Sequence, residues 1–178
     1  MKVLVACEES QEVCKAFRAL GHEAYSCDIL PCSGGHPEWH IQGDAIIEAY
    51  SGKYDMMIAH PPCTYLSNAG ACHLYPKGVL NEERLTKGID AVYFFRRLLD
   101  APIPRICVEN PVQSKVFGIE KYTQIIQPYQ FGHPMAKKTC LWLKGLPPLI
   151  PTNVLSTWES TKIAGNWYNR GGERPPKE

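Results

Sequence analysis

The sequence predicts an α/β fold built on a mostly parallel sheet, because short apolar runs alternate along the chain with segments of helical periodicity. Residues 2–6, 56–59 and 105–108 are such runs. Runs this short and this apolar are typical of strands that a parallel sheet buries on both faces. Towards the C-terminus, residues 123–127 and 138–143 predict an antiparallel hairpin. We therefore expect a Rossmann-like sheet with helices on both faces.

The first strand opens a strand–helix–strand unit. A helix is predicted over residues 12–20, where apolar side chains recur at helical spacing and Gly21 follows as a stop. The next strand, over residues 22–27, closes at Asp28. Dinucleotide-type folds bind a ribose through an acid about twenty residues beyond the first turn, which is the position of Asp28. A turn or helix-cap aspartate is the alternative interpretation of Asp28.

The turn after the first strand, residues 7–10, contains two glutamates and no glycine. Without glycine a pyrophosphate could not approach the backbone closely, and the two carboxylates would repel it. The turn therefore favours a cationic ligand over a phosphate.

Residues 29–41 are predicted to form a loop, because proline, glycine and histidine are frequent there. The potential zinc ligands in or beside it are Cys27, Cys32, His36 and His40. Their spacing matches no standard pairing, so we favour a loop that contains them over a metal site and expect no metal. Asp44 then precedes a short helix over residues 46–50, either as its cap, which is the stronger expectation, or as a ligand acid.

The apolar run at residues 56–59 stops at Pro61 and Pro62, and Cys63 follows. Proline fixes φ and lacks an N–H, so the two prolines predict a rigid loop at the end of a strand. Ligands bind at the carboxyl ends of strands in open α/β sheets, which makes Cys63 a candidate nucleophile. A buried, unreactive thiol is the alternative. The following residues, 68–79, lack periodicity and are predicted to form a mobile surface loop.

A long helix is predicted to begin after Asn81, with acids in its first turn. Its predicted apolar face consists of Leu85, Ile89, Val92, Arg96 and Leu99. The strand over residues 105–108 ends at Glu109 and Asn110, closed by a proline. If this strand neighbours the one before Cys63, Glu109 and Cys63 point into one crevice.

Composition bounds the remaining alternatives. The chain has 178 residues, 44% hydrophobic and 21% charged, which predicts one folded domain rather than a disordered chain. The formal charge is +1, so binding to nucleic acid would need a local basic patch. We expect reduced cysteines, no membrane segment, no obligate protein partner and a cytoplasmic location. Residues 151–178 are predicted to form a polar, proline- and glycine-rich C-terminal segment.

Four motifs resemble, in order, those of the cytosine-5 DNA methyltransferases, which use S-adenosylmethionine. Q-G-D-A resembles the motif whose acid contacts adenine, and H-P-P-C-T-Y-L-S-N-A-G is similar to the family's G-P-P-C-Q-x-F-S-x-A-G. V-E-N-P is similar to E-N-V, and Q-F-G-H-P-M-A-K-K-T resembles Y-G-x-P-Q-x-R-x-R. Four motifs in one order are more specific than any one of them. The resemblance covers about residues 3–143.

The resemblance implies a class I methyltransferase fold with residues 1–150 as the catalytic domain, and a small form without a sizeable target-recognition domain. It assigns Cys63 as the nucleophile that adds to carbon 6 of cytosine and Glu109 as the carboxyl that holds N3. The implied contacts to S-adenosylmethionine are Ala6, Cys7, Glu8, Ser10, Asp28, Asp44, His60 and Pro61. The implied contacts to the substrate are Pro62, Ser67, Asn110, Lys137 and Thr139.

The expected substrate is cytosine in DNA, flipped out of a duplex or already single-stranded. A methyltransferase acting on exocyclic amino groups is disfavoured, because His60 and Cys63 stand where it would carry an acid or amide and an aromatic residue. A catalytically inactive domain that binds nucleic acid or S-adenosylmethionine is the alternative function. A bacterial or bacteriophage origin would suit a small enzyme of this kind.

Overall fold

The computed structural model describes residues 1–71 and 73–155. The strands are β1 (Lys2–Ala6), β2 (Glu23–Asp28), β3 (His40–Gln42), β4 (Met56–Ala59), β5 (Arg105–Pro111), β6 (Gln124–Ile126) and β7 (Thr139–Lys144). The α-helices are α1 (Glu12–Ala19), α2 (Ala45–Ala49), α3 (Asn68–Ala71) and α4 (Glu82–Leu99). Short 3₁₀ helices cover Pro37–Trp39, Pro76–Gly78, Lys115–Phe117 and Pro128–Gln130.

The seven strands form one sheet in the order β3-β2-β1-β4-β5-β7-β6. Pairing is parallel from β3 through to β5. β7 is antiparallel to both β5 and β6. The predicted fold class, a mostly parallel Rossmann-like sheet with a C-terminal antiparallel hairpin, is therefore confirmed. The strand order reverses between β1 and β4, and the carboxyl edge at such a reversal is where open α/β sheets bind ligands.

Helices cover both faces of the sheet, as predicted. Alternate residues of a strand face opposite sides, so Val3 and Val5 of β1 pack with α1 through Cys14, while Leu4 faces α2 and α4. The second face carries the larger core, where Phe95 of α4 is fully buried. Among the helices at residues 1–71 and 73–155, none is long and apolar enough to cross a membrane.

Most predicted elements are confirmed to within about two residues at each end, but two predicted loops contain secondary structure. The loop over residues 29–41 includes a 3₁₀ turn and runs into β3, which pairs with β2. The stretch over residues 68–79 contains α3 and a second 3₁₀ turn. The elements inside both regions are only three or four residues long, which is too short to display helical or strand periodicity in sequence.

The predicted buried face of α4 is wrong in part. The buried residues of this helix are Gly88, Val92, Phe95 and Leu98, whereas Ile89 is 47% exposed and Arg96 is exposed. Apolar residues occur on more than one side of α4, so periodicity alone did not select the face. The cap was predicted correctly, because the Asn81 side chain accepts a hydrogen bond from the Arg84 N–H at 2.9 Å.

The boundary at residue 150 stays a prediction. Residues 151–155 are described, and the Thr152 and Asn153 N–H groups donate to the Gln130 carbonyl. The remainder of the predicted polar segment, residues 156–178, lies outside the described residues.

Candidate functional site

Hydrogen bonds tie the segment after β4 to the segment after β5. Asn110, which is 1% exposed, donates its side-chain amide to the Pro61 carbonyl at 2.7 Å. Further along, the Ser114 N–H donates to the Leu66 carbonyl at 2.7 Å, and the Asn68 N–H donates to the Val112 carbonyl at 3.0 Å. The two candidate catalytic segments therefore form one structural unit, although they lie far apart in sequence.

Cys63 lies half-buried in a tight turn that is held at several points. Its carbonyl accepts the N–H groups of Leu66 at 3.1 Å and Ser67 at 3.0 Å. Arg84 of α4 reaches the same turn and donates to the Thr64 carbonyl at 2.8 Å and the Gly70 carbonyl at 3.1 Å. A Cβ on Gly70 would come within 2.5 Å of the Thr64 carbonyl oxygen, so this close approach requires glycine.

Glu109 lies beside this turn because β4 and β5 are parallel neighbours. The pairing of β4 with β5 ends at Ala59 and Val108, so Glu109 follows immediately at the carboxyl edge. The His60 ring nitrogen Nδ1 is 3.2 Å from the Glu109 Oε2 atom. The sequence left open whether these strands are neighbours, and the structure confirms that they are. That Cys63 and Glu109 act on one substrate stays a prediction.

A cavity of about 700 Å³ opens at the reversal point of the sheet. Its polar wall includes Asp28 and Asp44, and its apolar wall includes Cys7, Leu30 and Phe94. Pro62 and Tyr65 of the Cys63 segment also line it, so the cavity adjoins the candidate nucleophile. A cavity of this size, with few polar groups on an apolar lining, is typical of a small-molecule site.

Two of the three aspartates that line the cavity, Asp28 and Asp44, also stabilise local backbone. Asp28 accepts from the Leu30 N–H at 2.9 Å, and Asp44 caps α2 by accepting from the Ile46 N–H at 2.8 Å. The turn and cap interpretations of these acids are thus realised in the structure. Since a carboxylate has two oxygens and several lone pairs, each acid keeps acceptor capacity toward the cavity.

The expectation that Glu8 faces a cationic ligand does not match its position. Glu8 is 6% exposed, and its carboxylate accepts from the N–H groups of Val13 at 2.6 Å and Cys14 at 3.2 Å. These N–H groups belong to the first turn of α1, where a negative charge also offsets the helix dipole. Glu8 is therefore a buried helix cap, and its side chain is not part of the proposed site.

The other predicted cofactor contacts are distributed around the same edge. Ala6 is fully buried at the end of β1, and its carbonyl accepts the His60 N–H at 3.0 Å. Ser10 is half-buried beneath the loop that follows β2, where a Cβ on Gly34 would overlap its carbonyl. Burial, and then the nearby Asp28 carboxylate, raise the pKa of the Cys7 thiol to about 12, so Cys7 is a neutral wall of the cavity.

Two of the predicted substrate contacts lie at the neighbouring end of β7. Thr139 pairs with Pro111 of β5, and its hydroxyl donates to the Lys137 carbonyl at 3.3 Å. Both therefore lie at the same edge as Glu109. Ser67 differs, because it is 7% exposed and its hydroxyl accepts from the Gly70 N–H at 3.3 Å. That bond makes Ser67 part of the framework of the Cys63 turn.

Gln11 organises the first turn, and sequence reasoning missed it. This residue is fully buried in the left-handed conformation, with φ 61°. Its side chain donates to the His36 carbonyl at 2.8 Å and accepts the His36 N–H at 3.0 Å, which fixes the loop after β2. A single glutamine whose partner is 25 residues away leaves no local signal in the sequence.

The potential zinc ligands after β2 have other partners. The His40 ring bonds the Ser26 hydroxyl at 2.9 Å and the Leu30 carbonyl at 3.0 Å, and the Cys32 thiol donates to Gln11. Within residues 1–71 and 73–155, no group of three or more histidine, cysteine or acidic residues is arranged to hold a metal ion.

No family model matches the chain. No curated protein matches it either. Among solved structures the chain is similar to one from E. coli, described provisionally as a DNA modification methyltransferase encoded within a prophage. The two share 14% identity with a TM-score of 0.49, and the match covers 86% of this chain. It covers 53% of the other chain, so this protein spans about half of that length.

Proposed function

We propose that this protein is a DNA methyltransferase that transfers a methyl group from S-adenosylmethionine to carbon 5 of cytosine through a covalent adduct with Cys63. The observation that carries the proposal is the hydrogen-bonded unit formed by the Cys63 turn and the β5 end, with Asn110 bound to the Pro61 carbonyl at 2.7 Å. This unit holds a thiol and the Glu109 carboxylate on neighbouring strand ends. Pure binding of nucleic acid would require neither group.

The cavity at the sheet reversal fits the implied cofactor. Among the described residues, three aspartates line the cavity, Asp28, Asp44 and Asp90, against a single lysine, Lys87. The carboxylates suit the hydroxyl and amino donors of a nucleoside and the positive charge of a sulfonium. Its apolar wall, with Leu30 and Phe94, suits a purine ring. When bound, S-adenosylmethionine supplies an electrophilic methyl group.

The residues of this chain would perform the remaining steps on cytosine. The Cys63 thiolate adds to carbon 6, which makes carbon 5 nucleophilic, while Glu109 shares a proton with N3 to offset the charge that develops there. Once carbon 5 has received the methyl group, a base removes the carbon 5 proton. The carbon–sulfur bond then breaks, which restores the 5,6 double bond and returns the Cys63 thiolate. The target base must be unstacked for this sulfur to reach it.

A covalent trap tests nucleophile, substrate and mechanism together. With S-adenosylmethionine and DNA containing 5-fluorocytosine, we expect a stable adduct on wild-type protein, since fluorine blocks the final proton removal. Cys63→Ser should form none. Cys32→Ser is the matched control, because Cys32 is also half-buried but lies in the loop after β2. Equal trapping by Cys63→Ser would exclude the nucleophile assignment. DNA binding without any adduct in wild-type protein would favour the inactive binding domain.

A further inference from the structure

His60 is in contact with Glu109 across the gap between β4 and β5. The His60 Nδ1 atom is 3.2 Å from Glu109 Oε2. In the described part of the chain, His60 is the one side chain that hydrogen-bonds this carboxylate. The candidate catalytic carboxyl is therefore oriented chiefly by an imidazole.

The backbone fixes the position of the His60 ring. The His60 N–H donates to the Ala6 carbonyl at 3.0 Å, which extends the β1–β4 ladder by one residue. Pro61 follows directly, and its carbonyl is held by Asn110. The bonded N–H of His60, the bonded carbonyl of Pro61 and the fixed φ of that proline leave this segment little freedom, so the imidazole is preorganised toward Glu109.

The second ring nitrogen indicates which tautomer the ring adopts. Nε2 is buried and has no hydrogen-bond partner in the described residues. A buried, unpaired N–H is rarer in proteins than an acceptor with an unused lone pair. The tautomer with the proton on Nδ1 avoids that unpaired N–H, and it also supplies the donor that a carboxylate oxygen needs.

We propose that His60 is a positioning residue for Glu109, an inference that rests on the function proposed above. Its Nδ1–H holds Oε2, which leaves Oε1 as the oxygen that carries the proton shared with the pyrimidine N3. As the Cys63 sulfur bonds to carbon 6, that proton moves from Oε1 toward N3. It returns to Oε1 when the carbon–sulfur bond breaks, so His60 neither gains nor loses a proton. Without this bond the carboxyl can rotate, and either oxygen can face the ring.

Two substitutions of His60 distinguish the effect of its hydrogen bond from the effect of its side-chain volume. The side-chain amide N–H of His60→Asn can occupy the place of Nδ1–H, whereas His60→Leu keeps an apolar volume and removes the donor. In single-turnover trapping on 5-fluorocytosine DNA, we expect His60→Leu to lower the rate constant about 10- to 100-fold, the range that a hydrogen bond to a charged group supports. DNA affinity should stay within about twofold, because the lost contact acts on the reacting step.

His60→Asn should recover most of that loss, and thermal melting of both variants checks that they fold. Trapping by His60→Leu at the wild-type rate would overturn the proposal, as would a His60→Asn protein as slow as the leucine variant. Both outcomes are distinct from failure of the proposed function, which would appear as no adduct in the wild-type protein and would leave His60 no reaction to support.

A spectroscopic measurement tests the contact without any turnover. ¹⁵N NMR of protein labelled in histidine reports which ring nitrogen carries the proton, and the spectrum of His60→Asn identifies the His60 signals. We expect the proton on Nδ1 and a change of that signal in Glu109→Gln. A proton on Nε2, or signals unaffected by Glu109→Gln, would overturn the proposed pair even if the enzyme were active.

Discussion

At the scale of single residues, the surroundings of the Cys7 thiol keep it protonated and therefore unreactive. Cys7 lines the same cavity as Asp28, and burial together with that carboxylate raises the pKa of Cys7 to about 12. At pH 8 only about one Cys7 thiol in ten thousand is then ionised, and the thiolate is the reactive form. Cys7 is thus a wall of the cavity and not a competing nucleophile.

Alkylation kinetics test this property of Cys7. With iodoacetamide and peptide mass spectrometry, the labelling rate of Cys7 should rise about tenfold for each pH unit from 7 to 10, because the thiolate fraction grows in that proportion below the pKa. The range avoids strong base, in which the fold itself could change. Labelling of Cys7 that levels off below pH 10 would contradict the raised pKa.

Single residues also mark the limit of the sequence analysis. The placement of Cys63 and Glu109 at the ends of strands could be predicted, because prolines mark those strand ends. Their catalytic roles stay predictions. The contact between His60 and Glu109 could not be predicted, because 49 residues separate the two and no pattern in the sequence around either residue indicates it. Glu8 was misinterpreted for a related reason, because a carboxylate beside a turn serves equally as a ligand or as a helix cap.

At the scale of elements, the Glu8 carboxylate caps the N-terminus of α1, the helix that packs on β1 through Cys14. Gln11 precedes α1 at the N-cap position in a left-handed conformation, and its side chain does not cap the helix. The Glu8 carboxylate provides the acceptors instead, at 2.6 and 3.2 Å from two N–H groups of the first turn. The helix therefore depends on a residue outside its own boundaries.

Substitution of Glu8 should destabilise the protein more than substitution of Glu12, an exposed glutamate in the helix that Glu8 caps. We expect Glu8→Gln to lower the free energy of unfolding by about 1–2 kcal/mol, since a charged cap and its dipole interaction are lost. Glu12→Gln, which breaks an exposed ion pair with Lys15, should cost less than about 0.5 kcal/mol. Urea titrations measure both. Equal effects of the two substitutions would contradict the role of Glu8 as a helix cap.

At the scale of the whole molecule, the strand order assembles the site. β1, β4 and β5 are adjacent, so residues after three separate strands meet at one edge. The sequence predicted the strands and the final hairpin, because apolar runs and turn residues are local signals. It did not predict that α4 would bury Phe95 and Leu98 rather than Ile89, because the choice depends on packing against distant elements, including Trp142 of β7.

Acid sensitivity should also be a property of the whole fold, and Glu48 is one identifiable source. Glu48 of α2 is 9% exposed and accepts hydrogen bonds from the Tyr54 hydroxyl at 2.7 Å and the Lys53 ammonium at 3.1 Å. Burial is the largest single influence and opposes the charged form, but the two hydrogen bonds together with the positive charges of Lys53 and Lys2 outweigh it. They hold the pKa of Glu48 below its ordinary value of 4.5. A depressed pKa means that the folded state binds this proton less readily than the unfolded chain does.

The stability that Glu48 contributes is therefore fully present above pH 4.5 and is lost as the pH falls through its folded-state pKa. We expect Glu48→Gln to lower the free energy of unfolding by about 1–2 kcal/mol at pH 7, because the amide is a weaker acceptor than the carboxylate. The difference from wild type should shrink below pH 4.5, where the wild-type carboxylate itself becomes protonated. Tyr54→Phe should be non-additive with Glu48→Gln, since both substitutions act on one shared hydrogen bond. Urea unfolding between pH 3 and pH 7 measures these differences, and parallel stability curves for wild type and Glu48→Gln over that range would show that Glu48 is not a source of the acid sensitivity.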